Sequence, residues 1–464
     1  MKLNQRPTKS KKAAKFAPST TQIIMLSFLG AILLGSALLV LPFSSKSGES
    51  VDYIDALFTA VSATCVTGLV TLPTVATWSV FGQIVILILI QIGGLGVITI
   101  TAGIMVAIHR KMGLKDSQLL SDALNVSTLS GLAEFVKKVL LGTFIIEGVG
   151  ALMYMIVFIP DFGAKGIWIS IFNSVSAFCN AGLDIVAENS LCNYATNPLV
   201  NVVTCLLIIL GGLGFIVWWD IIRVLKDVKQ TKFRCVNKLT LHSKIVLVAT
   251  FALILIGGVS ILACEYNNPL TLKNHNFFDK MQIAFFQSIT TRTAGFSTLP
   301  QENLTNASSI ICLILMFIGG SPVGTAGGIK TVTIVVLFAT TIATVRGKNE
   351  VTLFKRNLST RASRKAIAVA FSSFIIVALS TILLSLSTDA PALDVVFETV
   401  SATATVGLSR NLTSSLNVWG KVIISATMYF GRIGPISLAT FFTLKKENTN
   451  IIKNPTEEIG RAHV

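Results

Sequence analysis

The sequence predicts an all-α polytopic membrane protein built from four related units, each a span, a half-span and a second span, in pseudo-fourfold symmetry. Three observations predict it. Hydrophobic residues make up 52% of the 464 residues and charged residues only 13%, against about 25% charged in an ordinary soluble domain. Eight apolar stretches are long enough to cross a bilayer. A short glycine-containing loop recurs four times at almost constant spacing.

The composition excludes several function classes. A charge deficit spread along the whole chain, with mean hydropathy +0.74, calls for lipid as solvent rather than for a larger core. The net charge of +16 would suggest a nucleic-acid partner in a soluble protein. Here the cations sit in short stretches between apolar segments, which fits membrane topology and no nucleic acid. Seven scattered cysteines form no C-x-x-C pair, and the four histidines are too dispersed for a triad or metal centre. No catalytic constellation is visible, so the chain is not read as an enzyme and needs no covalent cofactor.

The spans fall near 21–43, 79–108, 139–159, 197–219, 244–264, 308–345, 365–387 and 417–443. Shorter apolar stretches at 53–64, 167–178, 278–290 and 392–403 lie between them. These cannot cross, and a helix that enters and stops must hide its backbone ends in protein or a wet cavity. The organisation is a basic N-terminal tail 1–20, units at 21–108, 139–219, 244–345 and 365–443, and a C-terminal tail 444–464. The first apolar run is too long for a signal h-region and is read as a retained span. Basic residues gather at 109–138, 220–244, 346–365 and in the tails. With eight spans all of these share one side, so both termini are placed in the cytoplasm. The other side carries Glu49, Asp52, Asp55, Asp161, Asp184, Glu188, Asp389 and Asp394, diluted by Lys46, Lys165 and Arg410.

Gly68, Gly182, Gly295 and Gly407 are 114, 113 and 112 residues apart. Phe58, Phe172, Phe285 and Phe397 each lie ten residues earlier. The loops read Val66-Thr67-Gly68, Asn180-Ala181-Gly182, Thr293-Ala294-Gly295 and Thr405-Val406-Gly407. Ion filters replace a hydration shell with rings of backbone carbonyls. Aiming successive carbonyls inward needs backbone that a Cβ resists, so glycine is expected. Each preceding half-helix would turn its negative C-terminal end to the same place. The four units therefore surround a single pore, with a candidate cation site at the carbonyls of Thr67, Gly68, Gly182, Gly295 and Gly407. Hydroxyls of Thr64, Thr67, Thr291, Thr293 and Thr405 are expected to brace the loops. One glycine per loop, against the two of T-V-G-Y-G, implies looser discrimination between similar cations.

The sixth span breaks at Gly319-Gly320-Ser321-Pro322-Val323-Gly324-Thr325-Ala326-Gly327-Gly328. Such a run is no lipid-facing helix, and just inside the filter it is placed to obstruct a pore; a simple helix kink is the plainer alternative. A phosphate-binding loop is excluded, because that motif needs glycine at Ile329. Only the third unit is read as broken in its second span, and only the fourth carries a mid-span arginine, Arg432. Glu147 is read as a helix–helix contact, with a proton site as the alternative. Glu398 is read as a brace of the fourth half-helix. Arg292 is expected to pair with another half-helix.

These motifs, with Gln91-Ile92-Gly93-Gly94-Leu95-Gly96, Gly211-Gly212-Leu213-Gly214-Phe215 and Gly431-Arg432-Ile433-Gly434-Pro435, resemble the membrane subunits of the Ktr branch of the Trk/Ktr/HKT superfamily of potassium uptake systems. The resemblance runs from about residue 21 to the C-terminus. It implies K⁺ uptake across a bacterial cell membrane by four M1–P–M2 units, with Na⁺ as an activator. It implies that the glycine-rich segment gates the pore, and that Arg432, with Lys330, acts as barrier and latch beneath the filter. It also implies a homodimer of two pores and a cytosolic RCK-type regulatory subunit that binds the nucleotide. A proton-coupled or less selective K⁺/Na⁺ transporter is the alternative.

Overall fold

The computed structural model describes residues 20–96, 99–100, 102, 132–226, 238–348 and 350–434. Both tails, with 109–131 and 227–237 of the basic stretches, lie outside the described residues. The first repeat holds α1 (Thr20–Val40), α2 (Tyr53–Cys65) and α3 (Val80–Leu95). The second holds α4 (Leu132–Phe162), α5 (Lys165–Cys179), α6 (Pro198–Leu213) and α7 (Phe215–Lys226). The third holds α8 (Leu241–Glu265), α9 (Phe277–Thr290), α10 (Asn306–Phe317) and α11 (Thr331–Val345). The fourth holds α12 (Thr360–Ser385), α13 (Ala392–Ala404) and α14 (Val418–Ile433). A two-stranded hairpin, β1 (Thr352–Leu353) and β2 (Arg356–Asn357), joins α11 to α12.

The first helix of each repeat is the long one. Gln22–Val40, Ala133–Phe162, Leu241–Glu265 and Thr360–Ser385 are each apolar and long enough to cross a membrane. Their outer faces carry exposed Leu34, Phe144, Leu152, Phe251, Phe374 and Ile382, an apolar exposure that lipid rather than water explains. The half-helices α2, α5, α9 and α13 have 13, 15, 14 and 13 residues. At 1.5 Å per residue they reach about 20 Å, short of a ~30 Å hydrocarbon core. The second helices open on side-chain caps: Ser79, Asn197, Thr305 and Asn417 accept from backbone N–H groups of the first turn.

One expectation is corrected. The second helix stops short in every repeat, not in the third alone. α3 ends at Gly96 (φ 84°), α6 and α7 meet at Gly214 (φ 88°) with a 98° bend, and α14 ends at Gly434 (φ 91°). Between α10 and α11 the same break is enlarged to Ile318–Lys330. A left-handed glycine ends the hydrogen-bond ladder, yet its apolar neighbours keep the hydropathy high, so three of the breaks read as continuous spans.

In the first, second and fourth repeats the second helix lies backbone to backbone on the end of its own half-helix. A Cβ added at Gly93, Gly211 or Gly431 would collide with the carbonyl oxygen of Thr64, Phe178 or Thr403, each four residues before a loop glycine. Phe58, Phe172 and Phe397 are fully buried behind the loops, while Phe285 is partly buried against Gly258.

Candidate functional site

The four loops close into a ring. A Cβ on Gly68 would lie 2.5 Å from Ala181 O, one on Gly182 2.7 Å from Ala294 O, and one on Gly295 2.6 Å from Val406 O. One on Gly407 would strike Thr67 O, returning to the first loop. The backbone is left-handed two residues before each glycine, at Val66 (φ 57°), Asn180 (58°), Thr293 (67°) and Thr405 (51°). It is left-handed again at Gly68 (96°), Gly182 (64°), Gly295 (81°) and Gly407 (97°). Residues Thr67, Ala181, Ala294 and Val406 between them are not. Left-handed residues thus alternate with others along each loop. All twelve sequence-predicted loop residues are gathered here.

The bracing differs from expectation. Ser62 Oγ accepts from Gly68 N and Ser401 Oγ from Gly407 N, both at 3.1 Å. Thr64, Thr67 and Thr405 hydroxyls have no partner among the described residues, and Thr291 Oγ1 bonds Ser288 O within its own helix. Of the five threonines only Thr293 holds its loop, accepting from Gly327 N; in the first and fourth loops a hydroxyl six residues back has the reach to meet the glycine N–H. Ser62 and Ser401 share that register in the sequence; Ser176 shares it too, but its hydroxyl has no partner among the described residues.

The glycine-rich segment lies beside the ring and contacts the second, third and fourth repeats. Ser321 N donates to Gly212 O (2.9 Å), Thr325 N to Gly211 O (3.2 Å) and Thr325 Oγ1 to Phe178 O (3.0 Å). Phe215 N donates to Val323 O at 2.9 Å. Gly327 N donates to Thr293 Oγ1 at 3.2 Å, and a Cβ on Gly327 would strike Thr405 Oγ1. The segment's two ends meet, with Gly320 N donating to Gly327 O at 3.2 Å and Ser321 Oγ 3.0 Å from Thr331 Oγ1. A Cβ on Gly324 would lie 2.8 Å from Gly211 O, one on Gly214 would strike Pro322 O, and Gly328 is left-handed (φ 65°).

Arg432 ties this segment to the first repeat. Its guanidinium donates to Thr325 O at 2.6 Å, to Gly93 O at 2.5 Å and to Gly94 O at 3.4 Å. Lys330 folds back on its own segment, Nζ to Ala326 O at 2.6 Å. Both line a cavity of about 330 Å³ with Gly96, Gly324, Gly327 and Gly434.

Beyond the ring lies a vestibule of about 500 Å³ lined by all four loop glycines. Asp184, Glu188 and Glu302 face it, and no lysine or arginine does among the described residues. Glu302 was missed by the sequence reading. Arg410 does not dilute this field as expected: it is bound to Asp394 (2.6 Å), Ser309 Oγ (2.7 Å) and Gln301 O (3.1 Å). Asp184 sits beside the ring, and burial pushes its carboxyl up to about 6 against hydrogen bonds that pull it down.

The family model for cation transport proteins of the TrkH type matches residues 3–454. The chain belongs to the TrkH cation transport protein family. It is 40% identical to the Ktr system potassium uptake protein B of Bacillus subtilis, over 95% of this chain and 96% of that one. It is also 40% identical to the potassium/sodium uptake protein NtpJ of Enterococcus hirae, over 94% and 96%. The structure is similar to the potassium transporter TrkH of Vibrio parahaemolyticus, with TM-score 0.72 and 17% identity, covering 95% of this chain and 87% of that one. At that identity the likeness speaks for the fold.

Within this TrkH-family chain the remaining charged residues hold the scaffold. Glu147 accepts from Gln91 Nε2 at 3.2 Å, next to Cys179, a contact between α4 and α3. Glu398 accepts from Ser409 Oγ at 2.7 Å and from Thr413 Oγ1, fastening the segment after the fourth loop to α13. Lys421 bonds Asp55 at 2.6 Å and so joins the fourth repeat to the first. Arg292 departs from expectation: among the described residues it pairs with no half-helix, and its Nη2 donates to Gly319 O at 3.4 Å.

Proposed function

We propose that this chain takes up K⁺ across the cell membrane through the ring of loop carbonyls, gated by the glycine-rich segment. The carrying observation is the closed ring, in which each loop glycine faces the carbonyl preceding the next. K⁺ gathers in the acidic vestibule and exchanges water for the carbonyls of Thr67, Gly68, Gly182, Gly295 and Gly407. It then meets Gly319–Lys330, latched by Arg432, and enters the inner cavity when that segment moves aside. The four M1–P–M2 units at 21–108, 139–219, 244–345 and 365–443 surround one pore, and both termini face the cytoplasm. Membership beside Ktr proteins supports a homodimer, Na⁺ dependence and a cytosolic RCK-type partner that carries the nucleotide.

A less selective K⁺/Na⁺ pathway is the second reading, favoured by the single glycine per loop and by the name of the Enterococcus relative. The test is Rb⁺ uptake in cells lacking their own potassium systems, with Na⁺ as competitor. Gly68→Ser and Gly295→Ser place a side chain against a facing carbonyl at positive φ and should lose affinity and Rb⁺ preference at least tenfold, about 1.4 kcal/mol. Unchanged selectivity in both would sink the filter assignment. Equal Rb⁺ and Na⁺ affinity in the unaltered protein would favour the second reading.

A further inference from the structure

The third loop is held unlike the first and fourth. Where Ser62 and Ser401 bond the glycine N–H in those loops, Ile289 stands in the third. The loop's own half-helix holds it through Thr290 Oγ1, which donates to Phe296 O at 2.6 Å, and its further anchors lie in the glycine-rich segment. Thr293 Oγ1 accepts from Gly327 N, and the preceding residue, Arg292, donates to Gly319 O. Gly319 and Gly327 are the two ends of the segment's neck, pinned together by the Gly320 N to Gly327 O bond. Neighbouring residues of one filter loop thus grip both sides of that neck.

The environment of Arg292 makes the grip exclusive. The residue is only 7% exposed, its Nε has no partner, and no carboxylate lies within ion-pair distance among the described residues. Ile208, Ile254 and Ile289 wall it in, with Gly320 at the same small void. A buried guanidinium without an acid is costly to leave unsatisfied. Gly319 O is therefore the acceptor that fixes it, and displacing the segment removes that acceptor together with the donor to Thr293.

We propose that Arg292 and Thr293 couple the gate to the third filter loop, so that moving the segment aside releases this loop and lowers discrimination between cations. Arg292 is a positioning residue in this scheme. The coupling rests on the proposed filter and gate, and by linkage it is reciprocal: an ion held in the ring must also bias the segment.

The experiment is a double-mutant cycle on Rb⁺ over Na⁺ preference in uptake, combining Arg292→Gln with deletion of Gly319 to Gly327, which removes both acceptor and donor. In the intact chain Arg292→Gln should lower the preference at least about fivefold, the lower end of typical site-to-site coupling. In the deletion background it should change the preference less than about twofold. Equal effects in both backgrounds overturn the coupling, provided the deletion alone raises flux and Gly68→Ser alone alters selectivity. Failure of either control overturns the underlying reading and the coupling with it. Should the deletion not fold, the reciprocal measurement decides. In a cysteine-free chain carrying Val323→Cys, which lines the inner cavity, the thiol modification rate should differ between K⁺ and choline, and Arg292→Gln should abolish the difference. A rate indifferent to K⁺ with Arg292 present overturns the proposal.

Discussion

Replacing Arg432 by alanine should open the pathway. Among this guanidinium's bonds, the one to Thr325 O at 2.6 Å reaches the glycine-rich segment, while those to Gly93 O and Gly94 O anchor it to α3. A hydrogen bond to a charged group contributes about 1.5–3 kcal/mol net. Loss of about 2 kcal/mol from the closed arrangement raises the open fraction about 30-fold. The side chain also sets a positive charge on the inner cavity, and at ~5 Å with an effective dielectric near 20 it opposes a cation by about 3 kcal/mol. The two effects act in one direction but are not additive. An increase in Rb⁺ uptake of roughly 10- to 100-fold is expected at equal protein level. Arg432→Lys keeps the charge and loses the fork that spans two carbonyls, so its flux should lie between the two. Arg432→Ala protein present at normal level, with flux equal to or below the unaltered chain, would refute the latch.

Three further outcomes are expected. Deleting Gly319 to Gly327 should raise flux without any regulatory partner, measured in liposomes; unchanged or lower flux in folded protein counts against a gate. Lys421→Met breaks an ion pair whose side chains are only 15% and 12% exposed and leaves Asp55 unpaired, at about 3 kcal/mol. The thermal midpoint of the purified protein should fall by several degrees, and Asp55→Asn added to it should recover part of the loss. Glu147→Gln should keep accumulation and its pH dependence, because Gln91 and Glu147 meet as a helix–helix contact; abolished accumulation would favour proton coupling instead.

Much of the ring was legible in the residues. A left-handed glycine facing a neighbour's carbonyl is a local demand, and it recurs identically in four repeats, so Gly68, Gly182, Gly295 and Gly407 keep their register. Arg432 was legible because a charge within an apolar span needs a partner. Less could be read where the same letters serve two purposes. Gly96, Gly214 and Gly434 end helices within apolar surroundings, and hydropathy averages across them. Arg410 reads as a free outer cation, yet the fold binds it to Asp394 and to backbone more than a hundred residues earlier. Of the threonines expected to brace the loops only Thr293 does so, and in the first and fourth loops reach assigns that role to Ser62 and Ser401.

What the sequence by itself determined is the lipid-facing character of the long helices, the fourfold recurrence of the loop and the place of the glycine-rich segment. Each follows from composition or short-range backbone geometry. What only the tertiary structure decided is the closure of the ring from Gly407 back to Thr67, the partners of Arg432, and the grip of Arg292 and Thr293 on the segment's neck. Those contacts join residues from about 30 to about 340 positions apart. They are chosen by which repeats stand side by side, and no local propensity records that.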